Sequence, residues 1–153
     1  MTRRALIVAA AGGSAALLAA AFAFQYLGGL APCQLCLWQR WPHAAAVAVG
    51  GIGLMAPALP VVLLGAAAAM TAAALGVFHT GVERAWWDGP AACAGGGDLS
   101  GLTGAELLDP AGAAPLVMCD EVAWSLLGLS MASWNALSAL ALAGLWVAAA
   151  RAG

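Results

Sequence analysis

Between Ala5 and Val82 the chain carries a single charged side chain, Arg40. A stretch of this length cannot cover a surface that faces water, because soluble domains carry about 25% charged residues. Over the whole chain only 8% of the residues are charged, whereas 64% are hydrophobic. The sequence therefore predicts a protein whose surroundings are largely lipid.

Four apolar stretches are long enough to cross a membrane, which takes about 20 residues per helix. They predict an all-α fold class: a polytopic membrane protein with a bundle of four transmembrane helices. We expect residues 1–153 to form a single membrane domain, with spans at about 5–27, 34–55, 61–79 and 131–150.

The first two spans each allow a second interpretation. The first apolar stretch is longer than the core of a secretory signal, about 7–15 residues, so we predict a retained span rather than a cleaved signal peptide. The second span contains Pro42. A helix from Pro42 to Met55 would be about 21 Å long, too short for a bilayer. We therefore predict that this helix begins near Gln34 and bends near Pro42.

The segment 81–130 differs from the rest in composition. It holds all 7 acidic residues of the chain, three prolines and the glycine run 95–97, against one basic residue, Arg84. This composition predicts a long solvated loop between the third and fourth helices, with a short surface helix near 104–108. The net charge of -2 and the lack of any basic run argue against a nucleic-acid partner.

Basic residues indicate how the chain is oriented. Arg3 and Arg4 precede the first span, and Arg151 follows the fourth. Positive charge marks the cytoplasmic side, and four spans bring both termini to that side. The acidic loop and the C-x-x-C motif at Cys33 and Cys36 are then predicted to face the opposite side.

All four cysteines, Cys33, Cys36, Cys93 and Cys119, are predicted on the side where thiols are oxidised. They could form structural disulfides, a metal site or a redox centre. Zinc sites usually pair two short-spaced clusters, and Cys93 and Cys119 lie far apart, so a metal site is disfavoured. A structural and a catalytic Cys93–Cys119 bridge remain equally open. The C-x-x-C favours redox chemistry, because closing so short a loop stabilises little.

The register of Arg40 supports the redox interpretation. Cys36 and Arg40 are four residues apart and share one helical face. A helix N-terminus and a nearby arginine both favour a thiolate. Arg40 could instead be an interfacial anchor, but this would not explain its register with Cys36. A functional role is favoured because charges within the membrane zone are costly.

Three longer motifs include these cysteines: PCQLCLWQR at 32–40, FHTGVERAWWDGPAAC at 78–93 and CDEVAWSLLGLSMASWN at 119–135. Together with four spans, they resemble the disulfide bond formation protein B (DsbB) family of bacterial inner membranes. The chain departs from the family pattern at Pro42, in its short glycine-rich loop, and at Gln39, where the family carries an acidic residue.

The resemblance implies an electron relay from a periplasmic thiol oxidase of thioredoxin fold (DsbA-like) to a membrane quinone, ubiquinone or menaquinone. Cys93 would form the mixed disulfide with the partner. Cys119 would be its pair and would pass the electrons to Cys33. Cys36 would lie against the quinone ring, and Arg40 would bind the quinone and steady the Cys36 thiolate.

The resemblance also bears on the histidines and on location. His79 matches the position of a family histidine near the quinone, so it joins Arg40 as a candidate quinone-binding residue; His43 is assigned to packing or the interface. The implied location is the bacterial inner membrane, with both termini cytoplasmic and the cysteines periplasmic. Because thiol exchange requires access, we expect the Cys93–Cys119 disulfide to be exposed.

Two other classes of protein remain open at this point. One is a quinone-linked reductase of the vitamin K epoxide reductase type, in which the C-x-x-C usually lies late in the chain; here it precedes the second helix. The other is a non-enzymatic membrane scaffold with structural disulfides. Such disulfides would not cycle with substrate or quinone.

Overall fold

The computed structural model describes residues 1–93 and 117–152. Four long helices confirm the predicted all-α class. Short elements accompany them: a 3₁₀ helix at Ala91–Cys93 and two antiparallel two-residue strands, β1 and β2. The helices are α1 (Arg3–Tyr26), α2 (Gln34–Met55), α3 (Leu59–Glu83) and α4 (Met131–Arg151), and the strands are β1 (Ser125–Leu126) and β2 (Leu129–Ser130). The predicted surface helix near 104–108 and the glycine run 95–97 lie outside the described residues.

Three helices, α1, α3 and α4, are long and apolar enough to cross a membrane. Within residues 1–93 and 117–152, length and composition support these three helices as membrane spans. Helix α2 has 22 residues and is not among the three; its first half holds the polar side chains of Gln34, Gln39, Arg40 and His43. The count of four spans therefore stays a prediction.

The helix ends follow from local chemistry. Cys33 precedes α2 in an extended conformation, and its sulfur accepts a hydrogen bond from the Cys36 N–H at 3.3 Å. Ser130 begins α4 in the same way, since its Oγ accepts from the Ser133 N–H at 3.1 Å. Side-chain acceptors at this position satisfy N–H groups that have no partner within the helix.

The observed limits of α2 match the predicted start at Gln34 and end at Met55. The chain is helical on both sides of Pro42, and the bend there stays a prediction. Helix α3 is longer than the predicted span 61–79. It begins with Pro60 in its first turn, where the missing proline N–H has no intrahelical partner to lose.

The four helices form a closed ring of neighbours: α1 packs on α2 and α4, and α3 packs on the same two helices. Small residues permit close approach. A Cβ at Gly65 would lie 2.6 Å from the indole ring of Trp146, and a Cβ at Gly76 would lie 2.9 Å from the backbone nitrogen of Ala136. Glycine at these positions of α3 therefore sets its distance from α4.

One end of the bundle is an apolar core that we call the Trp146 cluster. Trp146 is fully buried there, and side chains of α1, α3 and α4 surround it. The buried members are Leu6, Ile7, Ala10, Val62, Ala66, Ala69, Leu142, Ala143, Trp146 and Ala149. Arg3 closes this end, because its guanidinium donates to the carbonyl oxygens of Ala149 and Pro57, both at 3.0 Å.

The opposite end holds a second buried group, the cysteine cluster. It unites the start of α2 and the end of α3 with the loop cysteines, and its members are Cys33, Leu35, Val82, Cys93 and Cys119. Beside it, β1 and β2 form a hairpin with positive φ at Leu127 and Gly128, the backbone conformation of a type I′ turn. No strand was predicted at these residues from the sequence.

Candidate functional site

The dithiol lies at the N-terminus of α2. The sulfur atoms of Cys33 and Cys36 are 2.9 Å apart and unbonded, and the Cys33 sulfur lies 3.6 Å from Nε2 of His79. The hydrogen bond with the Cys36 thiol is the largest cause that lowers the pKa of Cys33, to about 4. The hydrogen bond with His79 lowers this pKa further, and burial opposes both. The arrangement favours a thiolate at Cys33.

The same three side chains are spaced closely enough to invite a metal ion, because their ligand atoms lie within 4.8 Å of one another. Two thiolates on one tetrahedral zinc would keep their sulfurs about 3.8 Å apart, given Zn–S bonds of about 2.3 Å. The observed sulfur separation of 2.9 Å is shorter. The two sulfurs therefore lie closer together than a shared zinc ion would hold them.

Cys93 and Cys119 form a disulfide, with their Cα atoms 5.1 Å apart. We expected this bridge to be exposed, and in this conformation the expectation is wrong: Cys93 is 5% exposed and Cys119 is 0% exposed. The bridge packs with Cys33 and Val82 in the cysteine cluster. The polar composition of the loop did not indicate this contact. Apolar side chains at the helix ends therefore cover a disulfide that the sequence places in a polar segment.

A cavity of about 310 Å³ opens beside the dithiol. Cys36 and Arg40 line it, as do both histidines, His43 and His79, while most of the wall is apolar and comes from α1, α2, α4 and the segment before the hairpin. Trp124, which lies before β1, is held over this wall by a ring contact with Phe24 at 5.2 Å between centroids. Cavities of this size and character suit a small, largely apolar ligand.

Arg40 is held against α1 by two contacts. Its Nη1 donates to Oε1 of Gln25 at 2.6 Å, and its guanidinium carbon lies 4.8 Å from the ring centroid of Phe22. The buried Nε has no hydrogen-bond partner among the residues that the structure describes. A guanidinium has five N–H donors and Gln25 accepts from Nη1, so Arg40 retains donors for an acceptor in the cavity that it lines.

Polar side chains behind the dithiol bond to one another. Gln39 lies between His79, with its Nε2 2.8 Å from Nδ1, and Asn135, whose Nδ2 donates to Gln39 Oε1 at 2.7 Å. Asn135 also meets His43, with Oδ1 2.9 Å from Nε2. The assignment of His43 to packing or the interface missed this bond, and Asn135 and Gln25 were not singled out at all. Gln39 and Asn135 are far apart in sequence, so spacing alone contained no signal for their contact.

The match to known proteins decides the family. The sequence model of the family "Disulfide bond formation protein DsbB" matches residues 3–149. The chain belongs to the DsbB family. Disulfide bond formation protein B of Polaromonas sp. (strain JS666) is 29% identical over 132 residues, which cover 82% of this chain and 77% of that protein. Disulfide bond formation protein B 2 of Pseudomonas aeruginosa (strain PAO1) is 34% identical, covering 77% and 73%. No solved structure matches the chain.

Membership of the DsbB family implies disulfide bond formation, and together with the three apolar helices it makes the chain a membrane protein. It also favours an oxidoreductase over the scaffold with purely structural bridges. The four cysteines of this DsbB-family chain thus belong to a protein that makes disulfides, rather than one that is only held together by them.

The remaining motif residues of this DsbB-family chain support the site structurally. Ser130 donates to the carboxylate of Glu83, which ties the end of α3 to the start of α4. Thr80 and Ser133 join the same two helices through hydroxyls 3.1 Å apart. Trp87 donates from Nε1 to the carbonyl oxygen of Phe78 at 2.9 Å. These bonds fix the end of α3 that carries His79.

Proposed function

We propose that this DsbB-family protein is a membrane thiol:quinone oxidoreductase. It would reoxidise a thioredoxin-fold thiol oxidase (DsbA-like) and pass the electrons to ubiquinone or menaquinone. One observation carries the proposal: the two thiols of the dithiol face different neighbours. Cys33 is buried with the loop disulfide, whereas Cys36 lines the apolar cavity. A dithiol placed in this way can take electrons from one side and deliver them on the other.

The partner's electrons enter at the loop disulfide. A thiolate of the reduced partner attacks Cys93, which breaks the Cys93–Cys119 bond, forms a mixed disulfide and releases Cys119 as a thiolate. The partner's second thiolate then displaces Cys93, which releases the oxidised partner. Two electrons now reside on Cys93 and Cys119, and the partner has gained its disulfide.

A second exchange moves these electrons inward. Cys119 attacks Cys33 of the Cys33–Cys36 disulfide, and Cys36 leaves as a thiolate. Cys93 then attacks Cys119, which restores the loop disulfide and releases Cys33. The product is a loop disulfide beside an unbonded dithiol, and this is the state of the four cysteines in the structure.

The cavity fits a quinone head group in size and chemistry. Its apolar wall suits the ring, and the guanidinium of Arg40, which lines the cavity, suits a carbonyl oxygen. A bound quinone would accept the two electrons and two protons of the dithiol. Arg40 would bind and orient it, and the apolar wall would exclude water, while Cys36 would be the thiol nearest to it.

The proposal includes a topology. We propose four spans in the bacterial inner membrane, with both termini cytoplasmic and the cysteines periplasmic, because the basic residues lie at the chain ends. Since Cys93 and Cys119 are buried here, the partner would gain access only after the disulfide separates from Cys33. Beside Cys33, the disulfide would exchange with the Cys33–Cys36 pair. Away from Cys33, it would react with the partner.

Purified protein in liposomes tests the function directly. Reduced DsbA-like partner should be oxidised over many turnovers only when ubiquinone or a menaquinone analogue is present, with one quinone consumed per partner disulfide. Cys119→Ala should abolish turnover, because Cys93 then has no disulfide bond for the partner to attack. A partner that keeps only its attacking cysteine should accumulate a mixed disulfide with Cys93 of the parent protein, because no second thiolate displaces it. Cys93→Ala should form no such adduct. Trapping that requires Cys33 and is unaffected by Cys93→Ala would overturn the relay order, and repeated turnover of the partner without quinone would overturn the acceptor.

A further inference from the structure

Four hydrogen bonds connect His43 to the Cys33 sulfur through the buried centre of the bundle. In order, Nε2 of His43 lies 2.9 Å from Asn135 Oδ1, and Asn135 Nδ2 lies 2.7 Å from Gln39 Oε1. Gln39 Nε2 then lies 2.8 Å from Nδ1 of His79, whose Nε2 lies 3.6 Å from the sulfur. No step of the proposed relay uses Gln39 or Asn135, so their place beside the dithiol requires its own explanation.

A backbone carbonyl fixes the direction of this chain. Nε2 of Gln39 also donates to the carbonyl oxygen of Leu35 at 3.1 Å. A carbonyl only accepts, so the Gln39 atom that faces Leu35 must be the amide nitrogen. That nitrogen also faces His79, and because an amide nitrogen only donates, Nδ1 of His79 must be the acceptor.

The tautomer of His79 follows. A neutral imidazole whose Nδ1 accepts a hydrogen bond carries its proton on Nε2, the nitrogen that faces Cys33. On the other side of Gln39, Asn135 must donate through Nδ2, so its Oδ1 accepts from the N–H of His43. Every donor in the chain therefore points toward the Cys33 sulfur, and hydrogen bonds aligned in this way strengthen one another.

We propose that Gln39 is a positioning residue, which holds His79 in the tautomer that aims an N–H donor at the sulfur of Cys33. Asn135 supports it by holding the amide of Gln39 in place. This inference rests on the proposed function for its role in turnover, but the bond that it describes belongs to the protein alone.

The opposite tautomer would present a lone pair to the sulfur. A lone pair repels a thiolate, whereas an N–H stabilises it. The other titratable or charged side chains around Cys33 are Cys36 and Arg40 from α2 and Glu83 from α3. Of these, only the Cys36 thiol donates to the Cys33 sulfur, so His79 supplies a second side-chain donor beside the backbone N–H of Cys36.

The donor would act when Cys33 is released. In the second exchange of the relay, Cys93 attacks Cys119 and Cys33 leaves with the bonding electron pair. A thiol leaves faster when its thiolate is more stable. Gln39 would thus speed the return of the loop disulfide without touching the partner or the reacting sulfurs.

Alkylation of Cys33 measures the effect without quinone or partner. We would use reduced protein in which both loop cysteines are alanine, and follow iodoacetamide labelling of Cys33 against pH by mass spectrometry. Gln39→Leu should raise the midpoint of the profile by about one pH unit, as loss of a hydrogen bond to a charged group predicts. Gln25→Leu is the matched control: it removes a neighbouring amide that bonds Arg40 instead, and it should leave the Cys33 profile unchanged.

A second variant separates the tautomer from simple packing. In His79→Gln the side-chain amide offers an N–H whatever its neighbours do, so adding Gln39→Leu should shift the midpoint no further. Nitrogen NMR of the ring should show a proton on Nε2 of His79 in the parent protein. It should show a mixture of both tautomers in Gln39→Leu.

Three results would overturn the proposal: a proton on Nδ1 in the parent protein, an unchanged profile in Gln39→Leu, or an equal shift in Gln25→Leu. These failures are distinguishable from failure of the proposed function. If the parent protein turns over with quinone but its Cys33 profile ignores Gln39, only the positioning role is wrong. If the tautomer and profile behave as expected but no quinone is consumed, only the proposed function is wrong.

Discussion

The two ends of the bundle bury similar helices around different chemistry. In the Trp146 cluster the contacts are apolar, and the indole Nε1 of Trp146 has no hydrogen-bond partner within the described part of the chain. Around the cysteine cluster, side chains such as Gln39, His79 and Asn135 bond to one another. One end tolerates an unpaired donor to gain packing, whereas the other end organises its donors around a sulfur. Stability and chemistry therefore lie in separate places.

The same helices supply both ends. Helix α4 carries Asn135 near its start and Trp146 eleven residues later, about 16 Å along the helix at 1.5 Å per residue. Sites more than about 10 Å apart with no shared partner usually behave independently. Substitutions at one end should therefore leave the other end largely unaffected.

Of the substitutions, the one with the largest expected effect is at Trp146. Trp146→Ala should lower the free energy of unfolding by about 3 kcal/mol, because it opens a cavity against Gly65 and its neighbours. Trp146→Phe keeps a ring and removes the unpaired N–H, so it should cost less than about 1 kcal/mol. Chemical denaturation in detergent micelles measures both. Turnover per folded molecule should match the parent in each, and slower thiol exchange in folded Trp146→Ala would show that the two ends are coupled.

A smaller effect is expected from Arg40. Arg40→Met keeps an apolar stem but loses the charge and the donors, and it should raise the quinone KM about tenfold. Arg40→Lys should fall between, because it keeps the charge and loses the planar fork. Steady-state kinetics at fixed partner concentration gives KM, and single-turnover oxidation of the partner should stay near the parent rate. A parent-like KM in Arg40→Met would reduce Arg40 to an interfacial anchor.

A third effect is a pH dependence confined to the cysteine end. The pKa of Cys33 is lowered from 9.0 to about 4 in the folded, reduced protein, chiefly by its hydrogen bond with Cys36. The resulting stabilisation is fully present above the unfolded value and is lost as the pH falls through about 4. Because only one proton is bound, the free energy of unfolding falls by at most about 1.4 kcal/mol per pH unit.

Thermal midpoints of the reduced protein between pH 8 and pH 4 check this dependence. The midpoint should fall with pH more steeply in the parent than in Cys33→Ser, which has no thiol to protonate. Parallel slopes in the two proteins would mean that Cys33 is not held as a thiolate. Trp146→Phe should follow the parent slope, because its substitution lies at the other end.

Much of the fold was predictable because the lipid environment makes composition informative. A chain with one charge between Ala5 and Val82 has few folds open to it besides long helices, and the limits of α2 followed from the length that a span requires. The hairpin at Ser125–Ser130 was missed, since its turn depends on positive φ at Leu127 as well as at Gly128. Leucine gives no signal of that conformation.

The sequence by itself determined the membrane class, the helix N-terminus at Cys33, and the i, i+4 placement of Cys36 and Arg40, because these depend on short-range spacing and on hydropathy. Only the tertiary structure decided what those residues face. It buried the Cys93–Cys119 bridge beside Cys33, against the expectation of exposure, and it joined Gln39 to Asn135 across two helices. The physical reason is that hydropathy and spacing act within one element. The direction of a hydrogen bond between elements is set only when a third group, here the carbonyl of Leu35, leaves the amide one orientation.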